Sequence, residues 1–198
     1  MITLMTLIFS VAAYFIGGLN GAILLCKFKG WPDPRLHGSK NPGATNILRL
    51  HHPQAASLVL IFDVLKGTLP VYIAYFIDIP PVAIGFIGLA ICLGHIFPPY
   101  FGFKGGKGVA TGLGTLLPLG MDMTGLLIIT WLLTIAFSGY ASLAAIVTAI
   151  AAPIFIEFIK PEFTCPVIML SGLIILRHLG NIHRLISGKE KKIVNWKQ

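Results

Sequence analysis

Apolar residues gather along the chain into seven stretches, at roughly 3–26, 55–76, 80–99, 109–120, 123–138, 139–159 and 163–180, with short polar segments between them. The first, ITLMTLIFSVAAYFIGGLNGAILLC (2–26), is uncharged and exceeds the ~20 residues that carry a helix across a bilayer. No basic segment precedes it and no small-residue cleavage site lies near its start, which predicts a retained span and not a removed signal. The fourth, VATGLGTLLPLG (109–120), is short and glycine-rich, and predicts a half-span or a helix that begins inside a cavity. Joined to the fifth it would form a helix of about 45 Å, too long for a ~30 Å hydrocarbon core without strong tilt. The expectation is therefore an all-α, polytopic membrane bundle of seven spans forming a single domain over residues 1–198.

Composition agrees with the pattern. Hydrophobic residues make up 56% of the 198 and charged residues 11%, far from a soluble domain. The net charge of +8 would raise the question of nucleic acid in a soluble protein. Here the basic residues have a simpler use in setting topology. Lys27, Lys29, Arg35, Lys40 and Arg49 precede the second stretch, Lys104 and Lys107 the fourth, and Arg177, Arg184, Lys189, Lys191, Lys192 and Lys197 follow the last. The alternate connections carry Asp78, Asp122 and Glu162. With seven crossings all three basic segments face the cytoplasm, the N-terminus lies outside and the C-terminus inside; an even number would separate the tail from the two loops. Cys26, Cys92 and Cys165 are far apart without metal-ligand spacing, and are expected to be reduced packing residues.

Three polar clusters fall on that one expected face. In HGSKNPGATNILR (37–49), Ser39, Asn41, Thr45 and Asn46 offer hydroxyls and amides, Pro42-Gly43 forces a turn, and Arg49 is a planar bidentate donor suited to phosphate or carboxylate. In FGFKGGKGVATG (101–112), Gly102, Gly105, Gly106 and Gly108 allow backbone N–H groups to point into a concavity. Lys104 and Lys107 add charge, and a helix is expected to start near Val109 with its positive end toward the turn; together these make an anion cradle. It is not a nucleotide-binding P-loop, since Phe101 stands where the first glycine belongs and Gly108 follows Lys107. In RHLGNIHRLISGKE (177–190), His178 and Asn181 are spaced to share a helical face. Capped loops, topology lysines and interfacial snorkelling account for parts of each cluster as well. Glu190 reads as a local ion-pair or fold-supporting residue.

Asp63 and Lys66, three apart in the second span, are ionisable at membrane depth; they read as a mutually neutralising pair, although such residues are also functional candidates. His95 suits either a hydrogen bond that shapes the following loop or a substrate contact. Neither a His-x-x-x-x-Asp pair nor a G-x-S-x-G nucleophile elbow occurs, and nothing supports a redox cofactor or metal.

GSKNPGATNILR, GHIFPPYFGFKGGKGVATG and RHLGNIHRLISGKE, in this order and within this hydrophobic layout, resemble the bacterial acyl-phosphate:glycerol-3-phosphate acyltransferase (PlsY) family over essentially the whole chain. The resemblance implies a seven-span bundle in the bacterial cytoplasmic membrane with its site on the cytoplasmic side. It implies transfer of a fatty acyl group from acyl phosphate to the 1-hydroxyl of sn-glycerol 3-phosphate, giving lysophosphatidic acid and phosphate, with no cofactor, nucleic acid or obligatory protein partner. Carried onto this chain, the family's catalytic positions fall on Ser39, Arg49, Lys104, His178 and Asn181. Substrate binding falls on Asn41, Thr45, Asn46, His95, Gly102, Gly105, Gly106, Lys107 and Gly108. The base is either His178 or, as we favour, a phosphate oxygen of the donor. One departure is visible: Lys40 follows the first-motif serine, where the family usually has glycine. The rival reading is a transporter for a phosphorylated solute, which would call for polar residues deep in several spans.

Overall fold

A computed structural model describes residues 2–193, with side-chain surroundings from Leu4 onward; Lys197, counted above among the basic tail residues, lies outside the described residues. Among the described residues every regular element is helical. The chain forms two compact units, Met1–Pro118 and Leu119–Gln198.

The first unit begins with α1 (Ile2–Gly17) and α2 (Gly21–Lys29). These correspond to the stretch expected as one span, and the structure breaks it by a 41° bend. The cause is local. Asn20 caps α2 by accepting the Ile23 N–H at 3.0 Å, which ends one helix and starts another. A long loop leads to α3 (Ala44–Leu50), whose fully buried Ile47 packs among Ala22, Cys26 and Val59, worth roughly 1.5–3 kcal/mol of apolar burial. Then come α4 (Pro53–Phe76), α5 (Pro81–Ile96) and α6 (Val109–Leu116).

Glycines set two of the helix contacts. A Cβ at Gly17 would overlap the Ile91 backbone and one at Gly94 the Tyr14 carbonyl, so α1 and α5 meet backbone to backbone. In the same way Gly67 of α4 meets Thr111, and Gly114 of α6 meets Val64. The glycine-rich composition of α6 therefore serves close docking on α4.

The second unit contains α7 (Met121–Ser138), α8 (Ala141–Ile159), α9 (Thr164–Arg177) and α10 (Leu179–Ile186) around Met123, Leu127, Ala145, Ile156 and Val167. The last stretch, expected as a span to about residue 180, ends as α9 at Arg177 and the chain bends by 57° at His178 into α10. Cys26 and Cys92 are buried free thiols, whereas Cys165 is exposed and so is not the packing residue expected.

All seven apolar stretches are helical. By length and composition four helices can cross a membrane, up to six if each bent pair is one span, with Val109–Leu119 a shorter apolar segment. The fold class is thus all-α and membrane-embedded.

Candidate active site

In the first unit the 30–43 loop and the 97–108 turn are built around buried side chains that hold backbone in place. Asn46, 1% exposed on α3, accepts the Ser39 N–H at 2.8 Å and donates to Pro34 O at 2.9 Å and His37 O at 3.2 Å. Both amide hydrogens and the carbonyl oxygen thus serve the loop that presents Ser39. Ser39 itself is exposed, while Asn41, Thr45 and Arg49 are half-buried, Arg49 in the last turn of α3. Lys40 has φ 58°, in the left-handed region where glycine is at ease, so the departure noted in the sequence places a strained side chain on this turn.

Two residues of this framework carried no motif signal. Asn20, fully buried at the α1–α2 break, donates to Pro42 O at 3.1 Å and so ties that break to the 37–49 loop. The available clue was an amide inside an otherwise uncharged run. Arg35 joins the two loops: its Nη1 donates to Phe101 O at 2.6 Å, while Nε and Nη2 grip the Asp33 carboxylate at 3.0 and 2.6 Å. Those hydrogen bonds from Arg35 hold the Asp33 carboxyl below the usual carboxylate range.

The glycine turn differs from the expected cradle in one respect. Gly105 and Gly106 do not aim their N–H groups outward; they donate to Ile96 O and His95 O, both at 3.1 Å, and close the end of α5. The physical reason is that the last carbonyls of a helix need donors, and the turn folds back to supply them. What faces outward is the exposed Lys104 and Gly102, the half-buried Lys107 and the start of α6, which begins at Val109 after Gly108 in the left-handed conformation (φ 82°). The first turn of α6 carries backbone N–H groups and the positive end of its dipole.

Beneath the turn lies a buried polar cluster. Lys66 Nζ sits 2.6 Å from Asp63 Oδ1, 2.7 Å from Leu19 O and 2.8 Å from His95 Nδ1, and the Gly21 N–H donates to Asp63 Oδ1 at 3.3 Å. The expected pairing of Asp63 with Lys66 is present, and His95 belongs to it.

In the second unit His178, 2% exposed, donates from Nδ1 to Ile174 O at 2.8 Å, because a carbonyl can only accept. Nδ1 therefore carries a proton. Asn181 donates to Glu190 Oε1 at 2.6 Å, Ser142 to the same oxygen at 2.7 Å, and Arg184 Nε to Oε2 at 2.7 Å. Burial raises the Glu190 carboxyl's pKa, but these three donors outweigh it and leave the group below its ordinary range. Glu190 therefore latches the tail to α8 and α10, an ion-pair and fold-supporting role. His178 and Asn181, though three apart, are held by different partners.

The arrangement offers cationic and N–H donors for anions in the first unit and an oriented imidazole in the second. A sequence profile described as glycerol-3-phosphate acyltransferase matches residues 7–188. A glycerol-3-phosphate acyltransferase of Colwellia psychrerythraea is 54% identical over 192 residues, covering 97% of this chain and 98% of the relative. One from Pectobacterium atrosepticum is 56% identical over 181 residues, covering 91% and 86%. Two crystal structures of PlsY, an integral membrane glycerol 3-phosphate acyltransferase, align over 94% of each chain. Its glycerol 3-phosphate form gives a TM-score of 0.90 at 37% identity, its lysophosphatidic acid form 0.88 at 36%.

Proposed function

The chain belongs to the glycerol-3-phosphate acyltransferase family, and from that premise we propose that it moves a fatty acyl group from an acyl phosphate to the 1-hydroxyl of sn-glycerol 3-phosphate. The products are lysophosphatidic acid and inorganic phosphate. The observation that carries this reading is the relative solved with both the acceptor substrate and the acylated product, alike over 94% of both chains.

The residues suit the chemistry. An acyl phosphate is already activated, so no covalent nucleophile is required, only alignment and charge stabilisation. The acceptor oxygen bonds to the acyl carbon, the carbon–oxygen bond to phosphate breaks, and the phosphate leaves with the bonding electrons. Arg49, Lys104 and Lys107 hold phosphate oxygens, helped by the N–H groups that open α6. Ser39, Asn41 and Thr45, on the loop fixed by Asn46, and Asn181 position the polar parts of the substrates. Gly102, Gly105, Gly106 and Gly108 shape the turn, and His95 supports it. The hydroxyl proton passes to a phosphate oxygen of the donor, with His178 as the alternative base.

In this reading the whole chain serves one activity. It lies in the bacterial cytoplasmic membrane, with the short apolar segment Val109–Leu119 in the seventh crossing, the N-terminus outside and the site facing the cytoplasm, a topology that the placement of the basic segments favours. The test supplies purified protein with labelled glycerol 3-phosphate and either palmitoyl phosphate or palmitoyl-CoA. Lysophosphatidic acid formed only with palmitoyl phosphate supports the donor; equal product from palmitoyl-CoA refutes it. No product from folded protein with either donor turns the reading toward anion transport.

A further inference from the structure

Asp63 and Lys66 lie outside the three motif segments, yet they touch one of them through His95. Three neighbours surround Lys66 Nζ, namely Asp63 Oδ1, Leu19 O and His95 Nδ1, all between 2.6 and 2.8 Å. An ammonium has three hydrogens and no lone pair, so each neighbour receives one hydrogen. Carboxylate and carbonyl accept without condition. An imidazole accepts at Nδ1 only when that nitrogen carries no proton. Asp63 Oδ1 stands 3.7 Å from Nδ1, beyond hydrogen-bond reach, and does not compete for the position.

The other edge of the ring faces the turn. A Cβ added to Gly106 would overlap His95 Nε2, so the Gly106 backbone rests directly on that edge, and the Gly106 N–H reaches back to the carbonyl of His95 itself at 3.1 Å. Lys104 and Lys107 stand on either side of this glycine pair. The polarity of the ring edge therefore matters to the turn that rests on it: Nε2–H presents the positive end of a bond, while a bare Nε2 presents a lone pair.

We infer that Lys66 is a positioning residue for acyl transfer: by donating to Nδ1 it holds His95 in the tautomer protonated at Nε2, and the ring so fixed seats the Gly105–Lys107 turn. The bearing on catalysis rests on the function proposed above; the tautomer does not. In the opposite tautomer an N–H would face the ammonium, and the ring or Lys66 would have to move, taking Gly106 with it.

Two measurements decide the matter. The first is 15N NMR of the full-length protein in detergent micelles with labelled histidine rings, the His95 signals identified by their loss in His95→Gln. The expected spectrum shows Nδ1 unprotonated and Nε2 protonated. A proton on Nδ1 overturns the inference whatever the enzyme assay gives. The second compares wild type with Asp63→Asn/Lys66→Met, which removes both charges together at nearly constant volume. The expected result is a folded protein whose KM for glycerol 3-phosphate rises about tenfold with a smaller change in kcat, the size of one misdirected hydrogen bond to a charged group. A pair that serves only to neutralise itself predicts an unchanged KM once both charges are gone, and that outcome overturns the inference too. If the double variant does not fold, the NMR result stands as the deciding one. Failure of the wild type to make lysophosphatidic acid is a separate outcome: it removes the proposed function and leaves the tautomer to the spectrum.

Discussion

Two ion pairs, one in each compact unit, have nearly the same length and very different surroundings. Lys66–Asp63 spans 2.6 Å with side chains 4% and 2% exposed, while Arg184–Glu190 spans 2.7 Å with side chains 47% and 10% exposed. In the first, water cannot take over the role of a lost partner, so each charge depends on the other and on the hydrogen bonds around it. In the second, solvent screens much of the attraction, and the value of Glu190 comes from gathering Ser142, Asn181 and Arg184 onto one carboxylate. Distance alone would rank the two as equals; burial separates an obligatory pair from an adjustable latch.

The contrast can be broken at several points. Lys66→Met alone leaves a buried, uncompensated Asp63 and is expected to destabilise the protein by about 3–5 kcal/mol, read as a large loss of melting temperature in detergent. A Lys66→Met protein that melts like wild type would erase the distinction between the pairs. Gly106→Ala pushes a methyl group into His95 Nε2, and is expected to lower kcat/KM about 100-fold, since a displacement near 1 Å at a positioning element has that effect, with a smaller loss of melting temperature than Lys66→Met because no buried charge is left unpaired.

The latch in the second unit should respond to acid. Because the folded pKa of Glu190 is depressed, its stabilisation is fully present above the ordinary carboxylate pKa of about 4.3 and is lost as pH falls through the lower folded value. The melting difference between wild type and Glu190→Gln should therefore be constant near neutrality and shrink below about pH 4; a difference that grows with acid would reverse the sign assigned here. The smallest effect is expected at Lys40, whose left-handed backbone favours glycine. Lys40→Gly should raise stability by about 1 kcal/mol or less, seen as a slightly higher melting temperature with activity retained.

Much of the fold is legible in the chain because lipid imposes a one-dimensional rule: a long enough apolar run becomes helix, wherever its neighbours lie. The starts of α4, α5 and α6 fall within two residues of expectation, and the second-span charges pair as read. The breaks at Asn20 and His178 were not legible, since Asn20 sits inside an apolar run and acts through a partner distant in sequence, while His178, in a polar cluster, acts through a local carbonyl. For the same reason the glycine turn could be recognised as special while the direction of its N–H groups could not. Composition gives glycine its freedom, but the nearest unsatisfied carbonyls decide where the donors point.

The sequence by itself determined that this is a helical membrane protein, where its polar clusters lie, and which family it resembles, because hydropathy and motif order are properties of the chain. Only the tertiary structure decided that Lys66 reaches His95 across 29 residues, that Arg35 clamps the 97–108 turn across 66, and that Gly106 rests on an imidazole edge. Those are contacts of buried polar atoms, whose choice of partner depends on which groups the packed helices leave within about 3 Å of one another.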